Sequence, residues 1–222
     1  MSSTVLIINP NSSTQVTECL KDILDPPPDV TYKFFTATDG PAEVNSHTTE
    51  VSSAAVCFEA LKDCLDQHDA FLVACFGEHP LIEMLREHTD KPVMGIFQAS
   101  VLQSLAFGDG KFAIITTASR WQRALDEGVF ALLGSYHNYA GTFTTGLGVL
   151  ELHEAEAKMV ESKIADATKR AVACGAKTLI LGCAGMSGME EIVKSHAPEN
   201  TRVLDAVVSG CEMVVGLMRT AN

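Results

Sequence analysis

Short apolar runs rich in β-branched residues alternate along this chain with longer stretches of helical periodicity. The runs are Thr4 to Asn9, Val30 to Phe35, Ala70 to Cys75, Pro92 to Ile96, Phe112 to Thr117, Ala140 to Thr145, Thr178 to Cys183 and Arg202 to Asp205. Such alternation is the signature of an α/β chain in which parallel strands are joined by crossover helices that cover both faces of a sheet. The clearest helical patterns run from about Thr49 to Gln67, with Val51, Ala55, Phe58 and Leu65 on one stripe, and from about Glu151 to Cys174, with Val160, Ile164, Ala167, Ala171 and Cys174 on another. Pro26-Pro27-Pro28 cannot continue a helix and ends the first one. Asn11, Ser12 and Ser119 read as helix caps.

The pattern repeats with a period of 108 residues. At that offset Val5 to Asn9 superposes on Ala113 to Thr117, and Ala70 to Gly77 on Thr178 to Gly185, so that Cys75 falls on Cys183. The stripe beginning at Val51 matches the one beginning at Val160 with a slip of one residue, and Pro92 to Ser100 matches Arg202 to Gly210 with a slip of two. The chain is therefore expected to form two lobes, residues 1–97 with 206–222 and residues 98–205, each a four-stranded parallel sheet flanked by helices and related by a pseudo-twofold axis. Parallel sheets bind ligands beyond the carboxyl ends of their strands. That rule places Cys75, Cys183 and the loops Pro10-Asn11-Ser12 and Ala118-Ser119-Arg120 along one cleft between the lobes.

Composition narrows the class. With 28 acidic and 16 basic residues the net charge is −12, and Lys and Arg form no stripe, which excludes a phosphate-tracking nucleic-acid surface. Seven cysteines without a C-x-x-C pair, in a chain of 222 residues, suit neither a zinc site nor a disulfide-stapled module. They are expected to be thiols in a reducing, cytoplasmic setting. No run is long and apolar enough for a membrane span, and no glycine-rich phosphate motif is present, so neither membrane nor nucleotide cofactor is expected. The expected partner is a small-molecule substrate, with no cofactor and no metal.

Two thiols on opposite sides of a carbon acid can move a proton from one face of a stereocentre to the other, which is racemisation. One cysteine removes the α-proton, hydrogen-bond donors hold the enolate, and the second cysteine returns a proton from behind. Backbone amides of Phe76, Gly77, Ala184 and Gly185 are the candidate donors, and Gly182, Gly185 and Gly188 allow close backbone approach. Helices starting near His79 and Ser187 would favour the thiolates through their N-terminal fields. His79 itself reads as a catalytic acid, as orienting the Cys75 thiol or, by preference, as a capping or exposed residue. Cys57, Cys64 and Cys174, on helices, read as small hydrophobes.

The strings INPNSS at Ile8 to Ser13, ACFGEHPLIEMLRE at Ala74 to Glu87, PVMGI at Pro92 to Ile96 and GCAGM at Gly182 to Met186 resemble the hydantoin and allantoin racemases of the cofactor-independent aspartate/glutamate racemase superfamily. The resemblance spans almost the whole chain. It implies a two-lobed fold, catalytic cysteines at Cys75 and Cys183, and commonly an oligomer. It also implies that Asn9, Pro10, Asn11 and Ser12, with Thr116 and Thr117, help to hold the substrate. Glutamate and aspartate racemases place Asn-Thr and Thr-His after their two cysteines; this chain has Phe76-Gly77 and Ala184-Gly185, which suit a small neutral ring better than a zwitterion. A 5-substituted hydantoin such as allantoin is the expected substrate. Two other readings stay open: a related cysteine-dependent isomerase or amino-acid racemase, and a non-catalytic small-ligand-binding relative.

Overall fold

The side chains of Val5 to Ile8 are apolar on both sides of the pleat, and a strand of that kind is stable only with both faces covered. In the computed structural model, which describes residues 3–220, they lie in β1 (Ser3–Asn9) and all four are buried. Around β1 the chain lays down α1 (Thr14–Ile23), β2 (Val30–Thr36), α2 (His47–Leu61), β3 (Ala70–Val73), α3 (Leu81–Arg86), β4 (Val93–Gly95) and α4 (Ile96–Ala106). It then repeats the pattern with β5 (Lys111–Thr116), α5 (Trp121–Leu133), β6 (Tyr139–Thr144), α6 (Glu151–Glu154), α7 (Ala157–Ala173), β7 (Ala176–Leu181), α8 (Glu190–Ser195), β8 (Arg202–Asp205) and α9 (Ala206–Thr220).

The first sheet has the order β2-β1-β3-β4 and the second β6-β5-β7-β8, all pairs parallel. One unit is built from the chain up to Ala99 together with Val207 onward, the other from Ser100 to Ala206. In the first unit α2 and α3 cover one face of the sheet, packing Ala54, Cys57, Leu61 and Leu81 onto Leu6, Ile8, Phe71 and Val73. In the second, Val160, Ile164, Ala167 and Ala171 of α7 pack onto Ala113, Ile115, Leu179 and Leu181. Each of the eight expected strands is present, with ends that differ by a few residues. No helix among the described residues is long and apolar enough to cross a membrane.

Several expectations are corrected. Val51 is 49% exposed and Ala55 is also exposed, so the buried stripe of α2 is not the one its apolar residues suggest. The face turned inward carries Glu50, Ser53, Ala54, Cys57 and Leu61. Two polar residues on the inner face and a valine on the outer one shift the apparent hydrophobic phase. The stretch from Glu151 breaks at Ala155-Glu156 into α6 and α7, and Cys174, at the end of α7, is exposed rather than packed. Cys64 lies beyond α2 at the start of a single 3-10 turn. The cap of α1 is Ser13, whose Oγ accepts from the Val16 amide at 3.3 Å, in place of Asn11 or Ser12; α5 begins after Arg120 without a side-chain cap, so Ser119 does not serve as one.

α9 returns to the first unit and approaches its sheet through Gly210. A methyl group there would meet Leu72 Cδ1 at 2.8 Å and Ile96 Cγ2 at 3.0 Å, whereas one at the exposed Gly216 would meet nothing within 4 Å. Gly210→Ala is therefore expected to lower the unfolding free energy by about 1–3 kcal/mol through overpacking. Gly216→Ala, on the same helix, is expected to raise it by up to about 1 kcal/mol through helix propensity. Urea denaturation of the two variants checks the opposite signs.

Candidate active site

Both cysteines of interest lie past their strands rather than in them. Cys75 is two residues beyond the last residue of β3, and Cys183 two residues beyond the last of β7. The amides before them close the ladder in the same way: Ala74 donates to the Ile8 carbonyl at 2.8 Å and Gly182 to that of Ile115 at 2.7 Å. Each cysteine thus leaves the sheet one residue after the last main-chain bond to the neighbouring strand. Both are half-buried thiols. Cys57, by contrast, is fully buried, and burial pushes its thiol up to about 12, so it is an inert part of the core.

In the first unit the turn after Cys75 is held from behind. Phe76 packs edge-on against Phe97, ring centroids 5.3 Å apart, and is only 6% exposed, so its ring is part of the core. Gly77 lies against the Glu50 side chain, with Oε1 3.3 Å from the position of a Cβ. Burial holds the Glu50 carboxyl above the usual carboxylate range, opposed by His47, whose Nδ1 is 3.7 Å away. One turn along α2, the Ser53 hydroxyl donates to the Glu50 carbonyl at 3.0 Å. With that proton spent, Ser53 Oγ accepts from His79 Nε2 at 2.9 Å, and His79 Nδ1 accepts from the Leu81 amide at 3.3 Å. The imidazole is neutral, with both nitrogens occupied.

His79 is therefore neither exposed nor available to orient the Cys75 thiol; it caps the start of α3 from the inside. The helices themselves begin later than expected, at Leu81 and Glu190, and each has six residues. A helix field acts within its first turn, so neither helix stabilises a cysteine thiolate. A 3-10 turn, Ala184–Met186, follows Cys183 directly instead.

The INPN loop is tied into itself. Asn9 is 1% exposed, its Nδ2 donating to the Ser13 carbonyl at 3.0 Å and to Thr17 Oγ1 at 3.1 Å, and its Oδ1 accepting from the Asn11 amide at 3.2 Å. Asn11 Oδ1 accepts from the Ser13 amide at 2.9 Å, and the Ser12 amide donates to the Pro41 carbonyl at 3.0 Å. Pro10 is buried, while Asn11 and Ser12 are half-exposed. These bonds give the asparagines a loop-shaping role whatever else they do.

In the second unit Thr116 Oγ1 donates to the Gly182 carbonyl at 2.6 Å, clamping the residue before Cys183 to the end of β5. Thr117 is buried, and its carbonyl accepts from the Gly146 amide at 3.0 Å. The turn beyond Cys183 is fixed by Asp205, which accepts from Ser187 Oγ at 3.0 Å and from the Gly188 amide at 3.3 Å; Gly188 has φ 85°, which favours glycine. Gly185 is buried for a different reason. A Cβ there would lie 2.9 Å from Val149 Cγ1, 3.6 Å from His153 Nε2 and 3.7 Å from Cys183 Sγ. Ala184 is half-buried beside it.

Glu50, Ser53 and His153 are the neighbours that sequence reasoning did not single out. The first two could have been found as a polar i, i+3 pair interrupting the inner face of α2. His153 carried no signal, because it sits on a four-residue helix after an irregular segment. No group of three or more metal-ligating side chains occurs among the described residues.

A sequence model described as Asp/Glu/Hydantoin racemase matches residues 5–214. The chain belongs to that family. It is 38% identical over 219 residues to an uncharacterized protein of Schizosaccharomyces pombe, covering 97% of this chain and 92% of that one. It is 29% identical over 219 residues to a hydantoin racemase of Paenarthrobacter aurescens, covering 96% of this chain and 90% of that one. The structure of allantoin racemase from Pseudomonas fluorescens superposes with a TM-score of 0.86 over 98% of this chain and 92% of that one, at 23% identity. The protein is a racemase, an isomerase of the Asp/Glu/hydantoin racemase family, with the α/β fold of two four-stranded parallel sheets.

The neutral, fully bonded state of His79 has a consequence for stability. Burial lowers its pKa from 6.5 to about 4. The unfolded chain takes up the proton first as pH falls, so the contribution of His79 is complete above pH 6.5 and is lost between 6.5 and about 4. The loss is on the order of 3 kcal/mol. His79→Gln should flatten the fall in unfolding free energy over that window relative to the parent protein, measured by urea denaturation at successive pH values.

Proposed function

We propose that this racemase inverts the stereocentre of a 5-substituted hydantoin such as allantoin, with Cys75 and Cys183 as the acid/base pair and no cofactor. The observation that carries the reading is the matched placement of the two thiols, each two residues past the third strand in chain order of a sheet of the same topology. Two equivalent groups at equivalent strand ends are what a reaction needs when its two directions are mirror images.

In the forward direction one thiolate takes the proton at C5, the electron pair moves to the neighbouring carbonyl oxygen, and the other thiol supplies a proton to the opposite face. The cysteines have then exchanged protonation states, and nothing is consumed. The main-chain amides of Phe76, Gly77, Ala184 and Gly185 are the proposed donors to the enolate. The loops Asn9 to Ser12 and Thr116 to Thr117 are the proposed frame of the substrate.

A neutral ring is supported by what surrounds Cys75. Burial raises the pKa of the Glu50 carboxyl beside the turn, and the His79 imidazole behind it is neutral. The histidine therefore supplies no fixed positive charge for a substrate carboxylate, as a zwitterion would require. The hydantoin and allantoin racemases among the similar proteins agree with this choice.

The test is inversion in deuterated water. A single enantiomer of allantoin or 5-benzylhydantoin should lose optical rotation at an enzyme-dependent rate and gain deuterium at C5. Cys75→Ser and Cys183→Ser should each lower kcat by at least about 10³-fold, because a serine hydroxyl is too weak an acid to be ionised at neutral pH. Full activity in either variant would eliminate the two-thiol mechanism, and binding without label would make the protein a carrier of its ligand.

A further inference from the structure

His153 Nε2 is buried and has no hydrogen-bond partner among the described residues. Leaving a polar nitrogen in that state is costly unless a ligand or solvent atom completes it. Its location gives the orphaned group a use. The point above Gly185 where a side chain would begin is 3.6 Å from His153 Nε2 and 3.7 Å from Cys183 Sγ. The ring nitrogen and the thiol are therefore neighbours around Gly185.

The surrounding elements hold both groups. The Cys183 turn is pinned by the Thr116 hydrogen bond to Gly182 and by Asp205 beyond it. α6 is anchored by Leu152, which is 4% exposed and packs in the core of the second unit, and by the Glu151 carboxylate accepting from the Gly148 amide at 2.6 Å. Val149 Cγ1 lies 2.9 Å from the same point, so no residue larger than glycine fits at 185 without a shift.

We propose that His153 is a catalytic residue beside Cys183: its Nε2–H donates a hydrogen bond to the substrate carbonyl oxygen next to the carbon whose proton the two thiols exchange. The inference rests on the function proposed above. As the C–H bond breaks and the S–H bond forms, the electron pair moves onto that oxygen, and the donor already beside it stabilises the charge without giving up its own proton. The oxygen is two bonds away from the reacting carbon, which is why a donor and a base must lie close together to serve both atoms. A neutral imidazole suffices, since a donated hydrogen bond and not a proton is required.

Three measurements on the complete protein test this. His153→Leu removes the donor with the apolar bulk retained and is expected to lower kcat for allantoin by about 10²-fold, with KM changed less than threefold, as for loss of one donor to a developing oxyanion. His153→Gln places an amide N–H near the same position and is expected to recover at least a tenth of the parent kcat. The equilibrium constant between enantiomers is unity, so kcat/KM must fall equally in both directions. The oxygen is common to both directions, so the primary deuterium isotope effect should rise to a similar degree for the two enantiomers, whereas a displaced Cys183 turn would raise it for one of them only. Parent activity with an undiminished His153→Leu variant, or equal losses in the Leu and Gln variants with an isotope effect raised for one enantiomer only, would overturn the role of His153 and leave the racemase reading standing. A parent protein that inverts no hydantoin would instead remove the function and this role together.

Discussion

The constraint on which the site depends is that the strands carrying it are covered on both faces. β3 is buried at all four positions, and β7 at every position but Lys177. Along such strands there is no room for a polar side chain that lacks a partner, since each would forfeit its hydration. Chemistry can begin only where the ladder stops, and it stops at the Ala74 and Gly182 amides. The cysteines come next in each case. Their position follows from the geometry of a doubly covered parallel sheet as much as from any requirement of the reaction.

That constraint also explains what could be read from the chain. Strands buried on both faces print themselves as uninterrupted apolar runs, so Val5 to Ile8 and Leu179 to Leu181 were visible, and with them the repeat that pairs Cys75 with Cys183. Edge strands β2 and β6 are only part-buried, yet their aromatic and β-branched residues sufficed. α2 was found but turned to the wrong face, because its inner stripe carries Glu50 and Ser53 for the sake of the turn after Cys75. A hydrophobic pattern reports what is buried against oil, and it misreports a helix that buries polar groups against a site.

The supporting shell was legible to a lesser degree. A histidine four residues after Cys75 invites a catalytic role, and the chain alone does not disclose that Ser53, 26 residues earlier, engages its Nε2. Nor does it disclose that Asn9 spends its amide on Ser13 and Thr17. The hydrogen-bond capacity of a side chain is finite, and where it goes is decided by tertiary neighbours. His153 is the reverse case: a residue with no pattern to recommend it, whose nitrogen the fold leaves unmatched beside Gly185.

Charge conservation ties these pieces together. In the two-thiol inversion proposed above the site would carry one negative charge throughout, passing from sulfur to oxygen and on to the other sulfur. Groups around it serve best when they do not change protonation as the charge moves, because any proton they exchanged would compete with the one being delivered. His79 meets that demand by having both nitrogens bonded and a pKa of about 4, well below neutrality. A fixed donor such as the imidazole of His153 or a main-chain amide lowers the energy of the charge at oxygen, where it is least stable, and leaves it unchanged at either thiolate. Stabilisation confined to the intermediate position is what accelerates the transfer in both directions equally, as a reaction with an equilibrium constant of one requires.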